Sequence, residues 1–141
     1  MISPRRFIQR TLLYQKLSHM DNEHQYNAFR VAAASTDYGY TVDVHFGRAT
    51  EFYIYQFFDG EWDYLEKRSV EPVCLGGSHS SSEMEARINL FQDCQYIIAL
   101  RIGVGAISLM RQKGITAMAL PGDLLEALEK VQSYNEIQNL F

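Results

Sequence analysis

Residues 96–123 read YIIALRIGVGAISLMRQKGITAMALPGD, and this stretch decides the fold. Tyr96 to Leu100 is a short continuous apolar run, the pattern of a strand covered on both faces. Gly103 and Gly105 introduce a helix, and Gly114 closes it at the carboxyl end. Ile115 to Leu120 is a further strand. Pro121-Gly122 then make a turn, and Asp123 caps a last helix with Leu124, Leu128 and Val131 on its inner face. Strand, helix, strand implies a right-handed parallel crossover.

Upstream, Ser82 and Glu85 form a capping box opening a helix whose Met84, Ile88 and Phe91 share one face. Glu51 to Phe58 is dense in Phe, Tyr and Ile on both alternating faces, and Asp59-Gly60 is a strong hairpin signal. The return strand, Trp62 to Val70, alternates large residues with charges, as a half-exposed strand does. Phe29 to Ala34 is a buried first strand that runs into Ser35-Thr36-Asp37 and a loop. The order is β, β-hairpin, then α-β-α-β-α. It predicts one α/β domain over residues 29–141, a mixed sheet of about five strands with an antiparallel hairpin and flanking helices.

Residues 21–28 are polar and read as a linker. The preceding twenty carry Arg5, Arg6, Arg10, Lys16 and no acid, with Phe7, Ile8, Leu12 and Leu13 among them. This start resembles a transit peptide, a short docking helix or a cloning remnant, and the fold argument needs none of the three. The remainder holds 9 basic and 17 acidic residues, a net of −8, so nothing attracts nucleic acid in general. No apolar run approaches the roughly 20 residues of a membrane span. Two cysteines, Cys74 and Cys94, make neither a disulfide framework nor a CxxC zinc site. A soluble protein of the reducing cytoplasm is the expectation.

Three constellations carry chemistry. The loop Val42-Asp-Val-His45-Phe46-Gly47-Arg48 offers an imidazole, a good iron ligand, with a glycine that lets a bulky group approach the backbone. It follows the first strand, where open α/β sheets collect their ligand sites. Against this, His45 could simply hydrogen-bond within its loop. Cys74 lies in a Gly- and Ser-rich segment, Val73-Cys-Leu-Gly-Gly-Ser-His79, and a thiolate suits a cluster iron. An ordinary free cysteine is the alternative there; His79 reads as a solvated loop residue and Cys94 as packing. Gly103-Val-Gly105 opens a helix, with Asp123 about twenty residues on, and so mimics a dinucleotide fingerprint. Ser108 replaces its third glycine and no second half exists, so an anion at the helix N-terminus is the better use. Asp37, Asp43 and Asp93 are the acids a magnesium nuclease would need, but Asp43 lies in the ligand loop, Asp93 ends a helix and the acidic core would repel nucleic acid.

Arg30-Val-Ala-Ala-Ala-Ser-Thr-Asp37, the Val42-to-Ala49 loop and Glu51-Phe-Tyr-Ile-Tyr55, with Asp93-Cys94, Arg101-Ile102-Gly103 and Lys113-Gly114-Ile115, together resemble the nitrogenase iron–molybdenum-cofactor biosynthesis family. That family includes NifX, NafY and the C-terminal domain of NifB, and the resemblance covers roughly residues 29–131. It implies a ribonuclease-H-like fold and a non-catalytic carrier or store for the iron–molybdenum cofactor or its iron–sulfur precursor. It also implies cofactor-assembly proteins as partners, with no nucleic acid or membrane. The family's ligand histidine maps onto His45; Cys74 resembles a segment of the NifB branch. Phe46, Gly47, Arg48, Arg101, Gly103 and Gly105 complete the expected cradle. The alternative function is a cluster-free interaction or regulatory domain of the same fold. The extra domains of NafY and NifB have no counterpart here, and a fragment of a longer protein stays open.

Overall fold

A computed structural model describes residues 28–71 and 81–140. Its elements are β1 (Phe29–Ala34), β2 (Thr41–Val42), β3 (Glu51–Phe58), β4 (Glu61–Ser69), α1 (Ser81–Asn89), β5 (Tyr96–Ala99), α2 (Val104–Gln112), β6 (Thr116–Ala119), β7 (Gly122–Asp123) and α3 (Leu124–Gln138). Five strands make one mixed sheet in the order β4-β3-β1-β5-β6. β3 runs antiparallel to β1 and β4, while β5 and β6 run parallel to β1. The expected mixed five-stranded sheet and flanking helices are therefore present.

β1 can sit at the centre because Ala32, Ala33 and Ala34 are small enough for large side chains to close over both faces. On one face Ala32, Ala34, Phe52, Ile54, Ile97 and Ala99 pack under α1 and α2, through Ile88, Ala106 and Met110. On the other, Phe29, Val31, Ala33, Tyr96 and Ile98 pack against Leu124, Ala127, Leu128 and Val131 of α3. The three inward positions expected of this last helix are among them. Its cap is Asp123, whose carboxylate accepts from the Glu126 amide at 3.0 Å.

The β3–β4 hairpin turns at Asp59 (φ 54°) and Gly60 (φ 77°), the two positive φ angles that its right-handed strand twist favours. Its register shifts between Ile54 and Tyr55, a bulge that leaves Leu65 extra on β4.

Two boundaries differ from the sequence reading. α1 begins at Ser81, so Ser82 lies inside its first turn instead of capping it. The turn expected at Pro121-Gly122 runs into β7, which pairs antiparallel with β2 as a separate two-stranded sheet. Together with the bond from the Leu124 amide to the Tyr40 carbonyl (3.0 Å), this pair ties the loop after β1 to the start of α3.

Candidate functional site

The loop leaving β1 is built by its own polar residues. Ser35 is buried, and its hydroxyl accepts from the amides of Asp37 (3.0 Å) and Gly39 (3.1 Å). Asp43 accepts from the Thr36 amide (2.8 Å) and hydroxyl (2.6 Å), and Asp37 from the Thr41 hydroxyl (3.2 Å). The short polar residues of Ser35-Thr36-Asp37 and Val42-Asp43 thus bond one another and replace the ladder that β1 has just left. A tight turn closes the loop, Tyr38 (φ 53°) and Gly39 (φ 84°) both being left-handed under the Tyr40–Asp37 backbone bond.

Beyond it the chain crosses to the carboxyl end of β5. The Leu100 amide donates to Val44 O (3.0 Å) and the Phe46 amide to Arg101 O (2.9 Å). His45 lies between these two rungs and is exposed. Its carbonyl accepts from the amides of Arg48 (3.1 Å) and Ala49 (3.0 Å), folding residues 46–48 into a tight turn. Phe46 turns the other way: its ring is 1% exposed and lies 5.7 Å from Phe52.

α2 starts three residues after Arg101. Its N-cap is Gly103, with no side-chain cap, so among the described residues its leading amides have no intrahelical or capping side-chain partner. Gly105 lies within that first turn, not before it. Around Gly47, Gly103 and Gly105, apart from the adjoining residues and the local helix backbone, no atom of the described residues lies within 4 Å of where a Cβ would stand. Packing in the described part of the fold therefore requires glycine at none of them. Arg48 and Arg101 are exposed. The backbone thus brings His45, Gly47, Arg48, Arg101, Gly103 and Gly105 to the carboxyl end of the sheet.

One contributor carries no signal in the sequence. Arg87, on α1, is 4% exposed. Its guanidinium donates to the carbonyls of Phe46 (2.8 Å from Nη2), Ala49 and Glu71, and lies 5.2 Å and 5.6 Å from the ring centroids of Phe46 and Phe52. Burial lowers its pKa to about 10, and among the described residues no carboxylate forms an ion pair with it. A lone Arg on a helix reads as a solvated charge; only the tertiary fold reveals this one.

Cys74 and His79 lie outside the described residues. Cys94 is buried, with its thiol pushed up to about 12 chiefly by that burial, as a packing role requires. Asp93 follows α1 in a turn and pairs with Arg68 (2.6 Å) and Arg30 (3.0 Å) before the amino end of β5, apart from Asp37 and Asp43. Asp123 serves as a helix cap. Among the described residues no group of three or more His, Cys, Asp and Glu could hold a metal ion, and no helix is long and apolar enough to cross a membrane.

Residues 27–134 match the family model described as "Dinitrogenase iron-molybdenum cofactor". The FeMo cofactor biosynthesis protein NifB of Frankia alni is 29% identical over 103 residues, 71% of this chain and 19% of that protein. The protein of the same name from Herbaspirillum seropedicae is 32% identical over 73 residues, 52% of this chain and 14% of its own length. The chain thus spans about a fifth or less of these curated relatives. Among solved structures, PH0822 superposes with a TM-score of 0.52 at 24% identity, over 74% of this chain and 90% of that one. A candidate NifB protein from Thermotoga gives 0.50 at 21%, over 74% and 88%. These two likenesses show the fold alone.

Proposed function

The chain belongs to the dinitrogenase iron-molybdenum cofactor family, and from that premise we propose that it carries or stores a metallocluster during cofactor assembly. The cargo is the iron–molybdenum cofactor or its iron–sulfur precursor. Family membership supports the coarser role in FeMo-cofactor biosynthesis. The observation that carries the finer one is the pair of backbone bonds, Leu100 to Val44 and Phe46 to Arg101, which set an exposed imidazole beside an uncapped helix N-terminus.

In this reading His45 binds one metal of the cluster through a ring nitrogen. Such clusters are anionic, and the free amides at the start of α2 supply partial positive charge, joined by Arg48 and Arg101. Gly47, Gly103 and Gly105 leave room for a bulky cargo to approach the backbone. Phe46 contributes by anchoring the turn from below. Cys74 remains a second ligand candidate on its sequence context alone. Nothing in this role calls for catalysis, and the partners would be the assembly proteins that give and take the cluster. Among the five strands of the large sheet, only the second in chain order is antiparallel and the first is central, which supports the ribonuclease-H-like classification.

Anaerobic titration of the full chain with isolated cofactor and with its precursor tests the proposal, followed by visible absorbance and gel filtration. Stoichiometric binding that His45→Ala weakens at least tenfold is the expected result. Cys74→Ala in parallel decides the second ligand. If nothing binds, or His45→Ala binds like the wild type, the ligand assignment fails, and a cluster-free partner-binding domain becomes the better account.

A further inference from the structure

Arg87 is an expensive choice for its position. A Met or Leu would fill the space between Phe46 and Phe52 without stripping water from a cation. What an apolar side chain cannot do is donate to the carbonyls of Phe46, Ala49 and Glu71. Two of these carbonyls belong to the turn that follows His45; the third follows β4. The amides of Arg48 and Ala49 bond the His45 carbonyl, and among the described residues the guanidinium of Arg87 is the donor that reaches the carbonyls of Phe46 and Ala49. Its planar fork reaches all three at once while its faces lie against aromatic rings, which a lysine ammonium cannot reproduce.

We propose that Arg87 is a positioning residue for the candidate site: from inside the core it holds the Phe46–Ala49 turn in the shape that presents His45 outward, without touching the cargo. This rests on His45 being the ligand. It adds that the affinity of the site is set in part on α1, a helix that contributes no ligand.

The experiment compares wild type, Arg87→Lys, Arg87→Met, His45→Ala and the His45→Ala/Arg87→Met pair, all as full chains. Amide exchange in the cargo-free proteins is read by NMR at Phe46, Arg48 and Ala49, against Ile97 and Ile98 of β5 as internal reference. Losing charged hydrogen bonds of this kind corresponds to roughly ten- to hundredfold in an opening equilibrium. Arg87→Met should therefore speed exchange at the three turn amides about tenfold or more relative to β5. Arg87→Lys should fall between, and it keeps the test alive if the Met variant does not fold. In titration with isolated iron–molybdenum cofactor, Arg87→Met should weaken binding about tenfold, and adding it to His45→Ala should cost little more. A merely structural residue would give additive losses. Unchanged exchange at the turn overturns the clamp. Faster exchange with undiminished or additive binding overturns its link to ligation. A silent His45→Ala sinks the ligand reading, while the exchange data still decide the clamp.

Discussion

Replacing Asp93 by Asn tests whether charge pairing helps hold α1 to the sheet. The carboxylate accepts from both Arg68 and Arg30, and these guanidinium partners, Arg68 foremost, lower its pKa from 3.8 to about 2. Each tenfold change in proton affinity is worth about 1.4 kcal/mol, so the displacement corresponds to at most about 2.5 kcal/mol. The carboxylate is 38% exposed, and solvent screening reduces this to about 1–1.5 kcal/mol. The folded state holds this proton less tightly than the unfolded chain. The contribution is therefore complete above the unfolded value and lost as pH falls from about 4 to about 2. Urea unfolding at pH 7 should show Asp93→Asn less stable than wild type by about 1–1.5 kcal/mol, with the curves converging near pH 2. Cluster binding should be unaffected, because Asp93 precedes the amino end of β5 and the candidate site follows its carboxyl end. A variant as stable as wild type at pH 7, or a deficit persisting at pH 2, would refute the pairing argument.

Three further outcomes follow from the packing. Phe91 is fully buried, with its ring 4.6 Å from Phe52, so Phe91→Ala should cost about 3–5 kcal/mol in denaturant titration. Gly39 adopts φ 84° and a Cβ there would stand 3.1 Å from the Tyr53 ring; Gly39→Ala should cost at least about 1–2 kcal/mol by the same measurement, and a neutral result would contradict the turn geometry. In a Cys74→Ser background, an alkylating reagent at pH 8 should leave Cys94 unmodified until the protein unfolds, because the thiol is buried and its pKa is raised to about 12. Labelling in native buffer at the rate of a free thiol would refute that.

The large sheet was legible because its strands carry periodicity. A short apolar run broken only by Arg30 gave β1 and an unbroken one gave β5, Asp59-Gly60 gave the hairpin, and the glycines around α2 gave the crossover. β2 and β7 were not legible: each has two residues, too few for any period, and their pairing joins Thr41 to Asp123 across most of the domain. The His45 loop could be read as a site, yet the sequence could not say what shapes it. Ser35, Thr36 and Asp43 bond within the loop, and Arg87 acts from a helix whose exposed charges look much like it. Phe46 shows the same limit. An aromatic beside a ligand histidine suggests a cargo contact, and only packing reveals that its ring faces inward.

The central place of β1 also bears on how the chain acquires its shape. β1 is the first of the described strands, and its two edges find partners at different times during synthesis from the amino end. One edge pairs with β3, about twenty residues downstream, and that meander can close early. The other waits for β5, whose Tyr96 registers with Val31 across more than sixty residues. Until β5 has been made, the Val31–Ala33 edge lacks its β5 partner, in an apolar strand whose one charged residue is Arg30. A chain interrupted before β5 would carry this apolar edge without its partner strand, so the second half of the domain acts as the shield of the first.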